Sequence, residues 1–99
     1  MNTELTIIDN EFLRQFECEL DGELAKIEYA QQDRKIFLTK LVMSDELKEK
    51  GYLEPFITEV LEYLREKGTR VMPTSPAVAR FMRKHRRKYK DMLPVGINI

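Results

Sequence analysis

The spacing of the apolar residues changes near Ser44, and this change limits what the chain can fold into. Before it, apolar and polar residues alternate along several short segments, which is the pattern of half-buried β-strands. After it, apolar residues recur at spacings of three and one from Leu53 to Leu64, which is the pattern of a helix with one buried side. A chain that contains both patterns in this order is predicted to have an α+β fold.

Alternation is clearest at 11–20, and the Asp21-Gly22 pair that follows favours a tight hairpin because glycine adopts positive φ at low cost. The predicted strands of the first half lie at 5–8 (an edge strand), 11–20, 23–29 and 35–43, with a polar turn at 31–34. The apolar residues of 35–43 fall on both faces, so this strand is expected to be central and covered on both sides.

Two helices around a short strand are predicted for the second half. The first begins near Tyr52, because Pro55 is tolerated only within a first turn, and the Lys67-Gly68 pair ends it. A strand is expected at 69–72. The second helix has Ser75 as its N-cap and a proline at its first position. The tail after residue 90 is expected to form a last short strand or to pack as coil.

Composition describes a soluble globular protein with one domain at residues 1–99. Hydrophobic residues make up 42% of the chain and charged residues 34%, and no apolar run is long enough to span a membrane. The N-terminus lacks the pattern of a secretory signal. A single cysteine, Cys18, excludes an internal disulfide and suits a reducing cytoplasm, and its place in an alternating strand predicts a buried small hydrophobe. One histidine and one cysteine argue against a structural zinc site.

The net charge is zero, but the charge is unevenly distributed. Residues 1–40 hold nine acids and five bases, whereas 80–90 hold seven Lys and Arg and no acid. The basic segment could attract an anion, a nucleotide cofactor or nucleic acid, or it could be the solvated face of a terminal helix. Because the chain is neutral and has few aromatics near this segment, nucleic acid is not expected as a partner.

The loop before the first long helix has features of an anion site. Its sequence is Lys48-Glu49-Lys50-Gly51-Tyr52-Leu53, and the first N–H groups of a helix bind phosphate well. Gly51 allows close approach of a ligand to the backbone, and the two lysines add positive charge. The Glu49 carboxylate opposes an anion, and an ordinary loop that leads into a helix explains the same residues.

Several strings, in this order, are similar to a known family. They are DGELAKIEY against D-G-x-x-A-x-I-x-Y, LTKL against a strand end L-T-H-T, SDELKEKGYL against P-x-E-L-R-G-x-G-x-G, and PTSPAVARFMRKHRRKY against P-x-C-P-F-V followed by a helix with R-H and a tyrosine. The chain thus resembles the minimal single-domain branch of the GNAT (Gcn5-related N-acetyltransferase) superfamily from about Phe16 to Leu93. The resemblance implies a mixed, mostly antiparallel sheet flanked by two main helices.

The resemblance also implies a cofactor, acetyl-CoA or CoA, and an amine acceptor of unknown identity. In the family pattern R/Q-x-x-G-x-G/A the backbone binds the cofactor's pyrophosphate. By position, this implies cofactor binding by Lys48, Glu49, Lys50, Gly51, Tyr52 and Leu53. The strand before this loop commonly bulges in the family, which implies that backbone near Lys40, including Leu41 and Val42, holds the thioester carbonyl.

Two of the departures from the family pattern fall at positions for which the resemblance implies a catalytic role. Lys40 stands where the branch has a histidine for proton transfer, and a protonated lysine cannot act as a base. Ser75 stands where the branch has a cysteine, and its place before a proline also suits an N-cap. His85 is expected to pack or to form a hydrogen bond rather than to act in catalysis, and Tyr89 could protonate the leaving thiol, as tyrosines do in some GNAT enzymes.

Two functions remain open from these residues. The first is an acetyl-CoA-dependent N-acetyltransferase of small type. The second is a catalytically degenerate GNAT scaffold that acts as a CoA-, anion- or protein-binding module, favoured by the substitutions at Lys40, Glu49, Leu53 and Ser75.

Overall fold

A computed structural model describes residues 5–97. The strands are β1 (Ile8–Asn10), β2 (Gln15–Leu20), β3 (Glu23–Gln32), β4 (Lys35–Val42) and β5 (Arg70–Pro73). The α-helices are α1 (Asp45–Glu49), α2 (Leu53–Glu66), α3 (Pro76–Lys84) and α4 (Arg86–Tyr89), and a 3-10 turn follows at Lys90–Met92. No helix in residues 5–97 is both long and apolar enough to cross a membrane.

The five strands form one sheet in the order β1-β2-β3-β4-β5. Neighbours are antiparallel except β4 and β5, which are parallel and are joined by a crossover that contains α2. The mixed, mostly antiparallel sheet and the α+β class are therefore confirmed.

The β2–β3 hairpin has the turn that its sequence predicts. Asp21 and Gly22 have φ values of 52° and 80°, and positive φ at both central residues is the geometry that matches the twist of the flanking strands. Leu20 pairs with Glu23 across this turn, so the register of the hairpin is fixed at its tip.

The core lies on one face of the sheet, between the strands and the helices. Its buried sheet residues are Phe16, Cys18, Leu20, Ala25, Ile27, Tyr29, Ile36, Leu38 and Val71. Its buried helix residues are Leu47, Phe56, Ile57, Val60, Leu61, Leu64, Val78, Phe81 and Met82. Inward positions alternate with outward ones, and within residues 5–97 no helix packs on the opposite face, here called the outer face.

The expectation that the central strand is covered on both sides is wrong. Ile36 and Leu38 of β4 are buried, but Phe37 between them is only half-buried and Lys40 is exposed. Leu24 on β3 is also 53% exposed, which places it on the outer face. Apolar residues on both sides of a short strand therefore reflect a partly apolar solvent face, not a second layer.

Several element boundaries differ from the prediction. Strand β3 runs to Gln32, so the polar turn predicted at 31–34 is reduced to 33–34. The edge strand starts at Ile8 rather than residue 5. Residues 11–14 form a turn rather than a strand, because the Asn10 side chain accepts the Leu13 N–H (3.0 Å) and Arg14 has a φ of 58°. The tail forms the 3-10 turn and then coil as far as residue 97; residues 98–99 lie outside the described part.

Polar contacts hold β1 to the core. The Asp9 carboxylate accepts hydrogen bonds from the hydroxyls of Tyr29 (2.6 Å) and Tyr63 (3.2 Å), which come from β3 and α2. The Phe16 ring packs against both tyrosine rings, at 4.7 Å and 5.7 Å between centroids. A three-residue strand pairs too weakly to stay in place alone, so this cluster fixes the edge of the sheet.

Candidate functional site

The segment between β4 and α2 is a short helix followed by a glycine stop. Ser44 caps α1 by accepting the Leu47 N–H (3.2 Å). At the other end the Tyr52 N–H donates to the Leu47 carbonyl (3.2 Å), and the Gly51 N–H donates to the Lys48 carbonyl (3.0 Å). These two bonds form a Schellman motif, in which Gly51 takes the left-handed position with a φ of 87°.

Gly51 is thus explained by the end of α1, but the space beside it is open. A Cβ placed on Gly51 would meet no heavy atom within 4 Å. Gly68 ends α2 with the same pair of bonds and is equally open, so the two glycines are structurally equivalent. They differ in their surroundings, since only Gly51 lies directly before a helix N-terminus.

The first turn of α2 exposes two backbone donors. The Phe56 N–H donates to the Tyr52 carbonyl (3.0 Å), whereas the N–H groups of Leu53 and Glu54 find no acceptor within residues 5–97, and Pro55 has none to offer. Tyr52 makes no side-chain cap. Free N–H groups at the positive end of a 14-residue helix are suited to bind an anion.

Charged side chains around these donors are partly engaged. Lys50 pairs with Asp21 at the β2–β3 turn (Nζ–Oδ2 3.0 Å), and this hydrogen bond raises the pKa of Lys50. Glu54 pairs with Lys84 of α3 (2.9 Å), and this hydrogen bond lowers the pKa of the Glu54 carboxyl. Lys48 is exposed and has no carboxylate partner in the described chain. It is the loop cation that remains open to a ligand.

Strands β4 and β5 separate beside this loop. Their pairing ends at Leu38 and Pro73, and the register of β3 with β4 shifts there because Thr39 is an extra residue in β4. The remaining residues of β4, as far as Val42, therefore lack a strand partner on the β5 side. A bulge of this kind bends a strand away from its neighbour and frees backbone polar groups.

Ser75 lies at this opening, and Lys40 follows it closely along β4. The Ser75 N–H donates to the Leu38 carbonyl (2.7 Å), so the start of α3 lies against the point where β4 and β5 part. Lys40 is exposed, two residues further along β4. Ser75 is 2% exposed, and its hydroxyl accepts the Val78 N–H (3.5 Å), as an N-cap does. Two of the four departures from the GNAT pattern, Lys40 and Ser75, therefore lie within a few residues of the point where β4 and β5 part.

Replacing Ser75 with alanine is expected to lower the free energy of unfolding by about 1 kcal/mol, because α3 loses its N-cap. Ser75→Thr retains the hydroxyl and should recover most of the loss. Urea unfolding of both variants measures this. If Ser75→Ala were as stable as the wild type, the hydroxyl would have no capping role.

Tyr89 and Cys18 belong to the core, whereas the half-buried His85 lies with its Nε2 3.9 Å from a carboxylate oxygen of Glu54 at the start of α2. The Tyr89 ring is 1% exposed and lies 5.7 Å from the Arg65 guanidinium, in the last turn of α2, roughly 18 Å along the helix axis from Leu53. The Tyr89 hydroxyl is buried and has no hydrogen-bond partner in residues 5–97, and its role as an acid for a leaving thiol stays a prediction. His85 packs on Phe81 (4.6 Å between centroids), and Cys18 is buried, which raises the pKa of its thiol.

Sequence reasoning missed residues that act at this site from a distance in the chain. Asp21 was assigned only to a turn, yet it holds Lys50. Lys84 was part of an undivided basic segment, yet it neutralises Glu54 at the start of α2. No local pattern predicts such pairs. The excess of acids in residues 1–40 and of bases in residues 80–90 indicates only that ion pairs between distant segments can form.

A protein-family model described as GCN5-related N-acetyl-transferase matches residues 15–92. The chain belongs to this family. The matched range begins at β2 and ends in the 3-10 turn, so it includes the hairpin, the bulged strand, the loop and both long helices. No curated protein matches the chain closely enough to be compared with it.

GCN5-related N-acetyltransferases generally use acetyl-CoA, and the residues of this member fit a diphosphate group. Two unpartnered N–H donors, the Lys48 ammonium and the open space at Gly51 supply donors, charge and access. The exposed Glu49 replaces a glycine of the family pattern, and the half-buried Leu53 replaces its Gly or Ala. These larger side chains leave a cofactor less space to approach the backbone of the loop.

Proposed function

We propose that the protein is a small N-acetyltransferase that moves an acetyl group from acetyl-CoA to an amine. The observation that supports this most is the pair of free N–H groups at the start of α2, which follow an open glycine and a bulged strand that parts from its neighbour. Each feature alone is common. Together they suit a thioester cofactor, because its phosphates can bind at the start of α2 and its acyl group at the bulged strand β4.

This geometry supports the following binding roles. The N–H groups of Leu53 and Glu54, with Lys48, hold the diphosphate, and acetyl-CoA supplies an acyl group activated as a thioester. Successive N–H groups of a strand point to opposite sides, so one of the two predicted residues, Leu41 or Val42, turns its N–H to the unpaired side of β4. This N–H donates to the thioester carbonyl and stabilises the charge that develops there. Preorganised backbone donors need no rearrangement during the reaction, which is why a split sheet is suited to this role.

The other residues predicted to bind the cofactor are placed to hold the loop in position rather than to contact the phosphates. Lys50 fixes the loop to the β2–β3 turn through Asp21 and is less available to phosphate. The half-buried Tyr52 packs against the core, and Glu49 is exposed at the end of α1. The loop is thus anchored on both sides of Gly51.

Replacing Gly51 with glutamine is expected to weaken acetyl-CoA binding about tenfold or more, because a side chain then fills the space beside the free N–H groups. Gly68→Gln is the matched control: it has the same Schellman bonds and open surroundings, so both variants lose about 1–2 kcal/mol of stability from the left-handed φ. Calorimetric titration with acetyl-CoA, alongside urea unfolding, separates the two effects.

The wild type should bind acetyl-CoA and acetylate at least one amine in a panel. Absence of any heat or thermal shift with millimolar acetyl-CoA would remove the proposal. Equal weakening by Gly51→Gln and Gly68→Gln would show that stability, not the loop, controls binding.

A second candidate is a binding module that retains the fold without transfer. It is favoured by Lys40 and Ser75, which replace the histidine and cysteine of the family branch, and by the capping role of Ser75. This reading expects acetyl-CoA or another anion to bind with no acetylation of any amine in the panel.

Partners and location remain proposals. We propose an amine acceptor and a cytoplasmic location, which the single cysteine suits. In the basic segment Lys84 pairs with Glu54 and Lys88 lies 3.9 Å from Glu62, whereas the other cations have no carboxylate partner in the described chain: Arg80, Arg83, Arg86, Arg87 and Lys90. They suit the phosphate on the adenosine of CoA better than nucleic acid, and charge reversal at Arg86 and Arg87 tests this.

A further inference from the structure

A row of polar residues crosses the outer face and ends at the bulge. Asn10 pairs with Gln15, Gln15 with Glu28, and Glu28 with Lys40, so one residue from each of four adjacent strands lies in register. Core-facing positions lie on the other side of the sheet, so all four side chains belong to the open face. Asn10 and the buried Gln15 are engaged within the fold, because their side-chain amides donate to the Glu17 carboxylate (2.9 Å and 2.5 Å). The half-buried Glu28 and the exposed Lys40 are the part of the row that a ligand can reach.

Glu28 is the acid of this row, and it lies at the bulge. Its carbonyl accepts the Thr39 hydroxyl (3.1 Å), and the register shift falls between Glu28 and Tyr29. Its carboxylate contacts the Lys26 ammonium (3.2 Å), and the side chain is 37% exposed. Directly opposite residues have Cβ atoms about 5 Å apart, which puts this carboxylate beside Lys40.

Lys40 makes no ion pair with any residue of the described range, although an acid is its cross-strand neighbour. The Glu28 carboxylate contacts Lys26 instead. The bulge therefore presents a carboxylate and an unpaired ammonium side by side on the open face. This pair is complementary to a small molecule that carries both an ammonium and an anionic group.

We propose that the acceptor is a primary amine with an anionic group a few bonds away, such as an amino acid, and that it binds on the outer face with its ammonium at Glu28 and its anionic group at Lys40. The proposal rests on the acetyltransferase function. It also assigns Glu28 as the proton acceptor, a role that Lys40, standing at the position of the family's histidine, does not fill while protonated.

The reaction balances with these groups. The ammonium loses one proton to the Glu28 carboxylate, and the nitrogen lone pair forms a bond to the acyl carbon. The carbon–sulfur bond breaks, and the sulfur leaves with the bonding electron pair. The second proton of the nitrogen goes to the thiolate, so an amide and a thiol are formed. Glu28 then releases its proton to water, which gives one net proton per turnover.

Binding of the amine is testable without the cofactor. The probe is 3-aminopropanoate, followed by amide NMR of the protein, with 1-aminopropane and 1,3-diaminopropane as probes that lack the anionic group. Wild type is expected to bind 3-aminopropanoate most tightly, with shifts centred on residues 26–28 and 39–41. Glu28→Gln should weaken this about tenfold, since a charge-assisted hydrogen bond is lost.

Glu19→Gln is the matched control. Glu19 is an exposed acid on the same face of β2, but it pairs with Leu24 and lies outside the row. It makes the same charge change, so a general electrostatic effect would move both variants equally. Lys40→Met should abolish the preference for 3-aminopropanoate over 1-aminopropane. Equal binding by wild type and Glu28→Gln, or equal loss in Glu19→Gln, overturns the proposal.

The catalytic part has its own readout. Glu28→Gln should bind acetyl-CoA as wild type does, yet transfer the acetyl group to 3-aminopropanoate at least about a hundredfold more slowly, the usual size of a general-base effect. The loss should shrink for methoxyamine, which is already neutral at pH 7. If Glu28→Gln transfers the acetyl group as fast as wild type, the proposed role of Glu28 is overturned but the acetyltransferase function is not. If wild type does not bind acetyl-CoA, the acetyltransferase function itself is overturned.

Discussion

Leu47→Ala is expected to lower the free energy of unfolding by about 3 kcal/mol, as large-to-small changes in well-packed cores do. Leu47 is fully buried and is the one core residue of α1. Its carbonyl also receives the Tyr52 N–H that closes the Schellman motif. A cavity at this point should therefore loosen the loop before α2 as well as the core.

The two consequences are measured separately. Urea unfolding gives the free energy of unfolding. Titration of the folded variant with acetyl-CoA, without urea, reports on the loop, and Leu47→Ala is expected to bind acetyl-CoA more weakly than wild type. Leu24→Ala is the control, because Leu24 is 53% exposed and its truncation should change stability by less than about 0.5 kcal/mol. A similar small change for Leu47→Ala would contradict the packing described for α1.

Stability should fall steeply in alkaline solution, above about pH 9 to 10. Burial raises the pKa of the Cys18 thiol, and burial and the hydrogen bond to Asp9 raise that of the Tyr29 hydroxyl well above its usual range. A raised pKa in the folded state means that stability is fully present below the unfolded values, 9.0 and 10.0, and is lost as the pH rises towards the folded values. Each group then contributes up to about 1.4 kcal/mol per pH unit.

Urea unfolding from pH 7 to 11 measures this slope. Cys18→Ala removes the thiol and should flatten the first part of the decline. Tyr29→Phe should cost stability at pH 7, because Asp9 loses its 2.6 Å hydrogen bond, and yet should flatten the later part. A double variant that declines as steeply as wild type would assign the alkaline sensitivity to other groups.

The elements that could be predicted from sequence are those whose signal is local. The Asp21-Gly22 turn follows from the conformational freedom of glycine, and the apolar stripe of α2 follows from helical spacing over 14 residues. The N-cap at Ser75 follows from its position before Pro76. Each depends on neighbours within a few residues, so no tertiary information is needed.

Elements that depend on distant partners could not be predicted in this way. Helix α1 has five residues and one buried side chain, so it shows no periodicity. The half-buried Phe37 made β4 resemble a strand covered on both sides, because spacing cannot distinguish an apolar solvent face from a second layer. Residues 11–14 continued the alternation but turn, since the Asn10 side chain competes for a backbone N–H.

The candidate site divides in the same way. The position of the loop could be predicted from the order of strands and helices along the chain and from Gly51. The pair between Lys50 and Asp21 spans 29 residues, and the match between Glu28 and Lys40 depends on a bulge that shifts the register. A one-residue slip would place these side chains on the core face, so only the folded sheet defines them.

The open outer face has a consequence for how this protein can change over generations. Inward positions of each strand carry the packing, and the outward positions between them carry the polar row, so the two duties fall on different residues of the same strands. If the proposed acceptor binds there, substitutions at the exposed outward positions should redirect the choice of acceptor with little loss of stability. In a fold with helices on one face of the sheet, the residues of the open face can thus be substituted without disturbing the residues of the core.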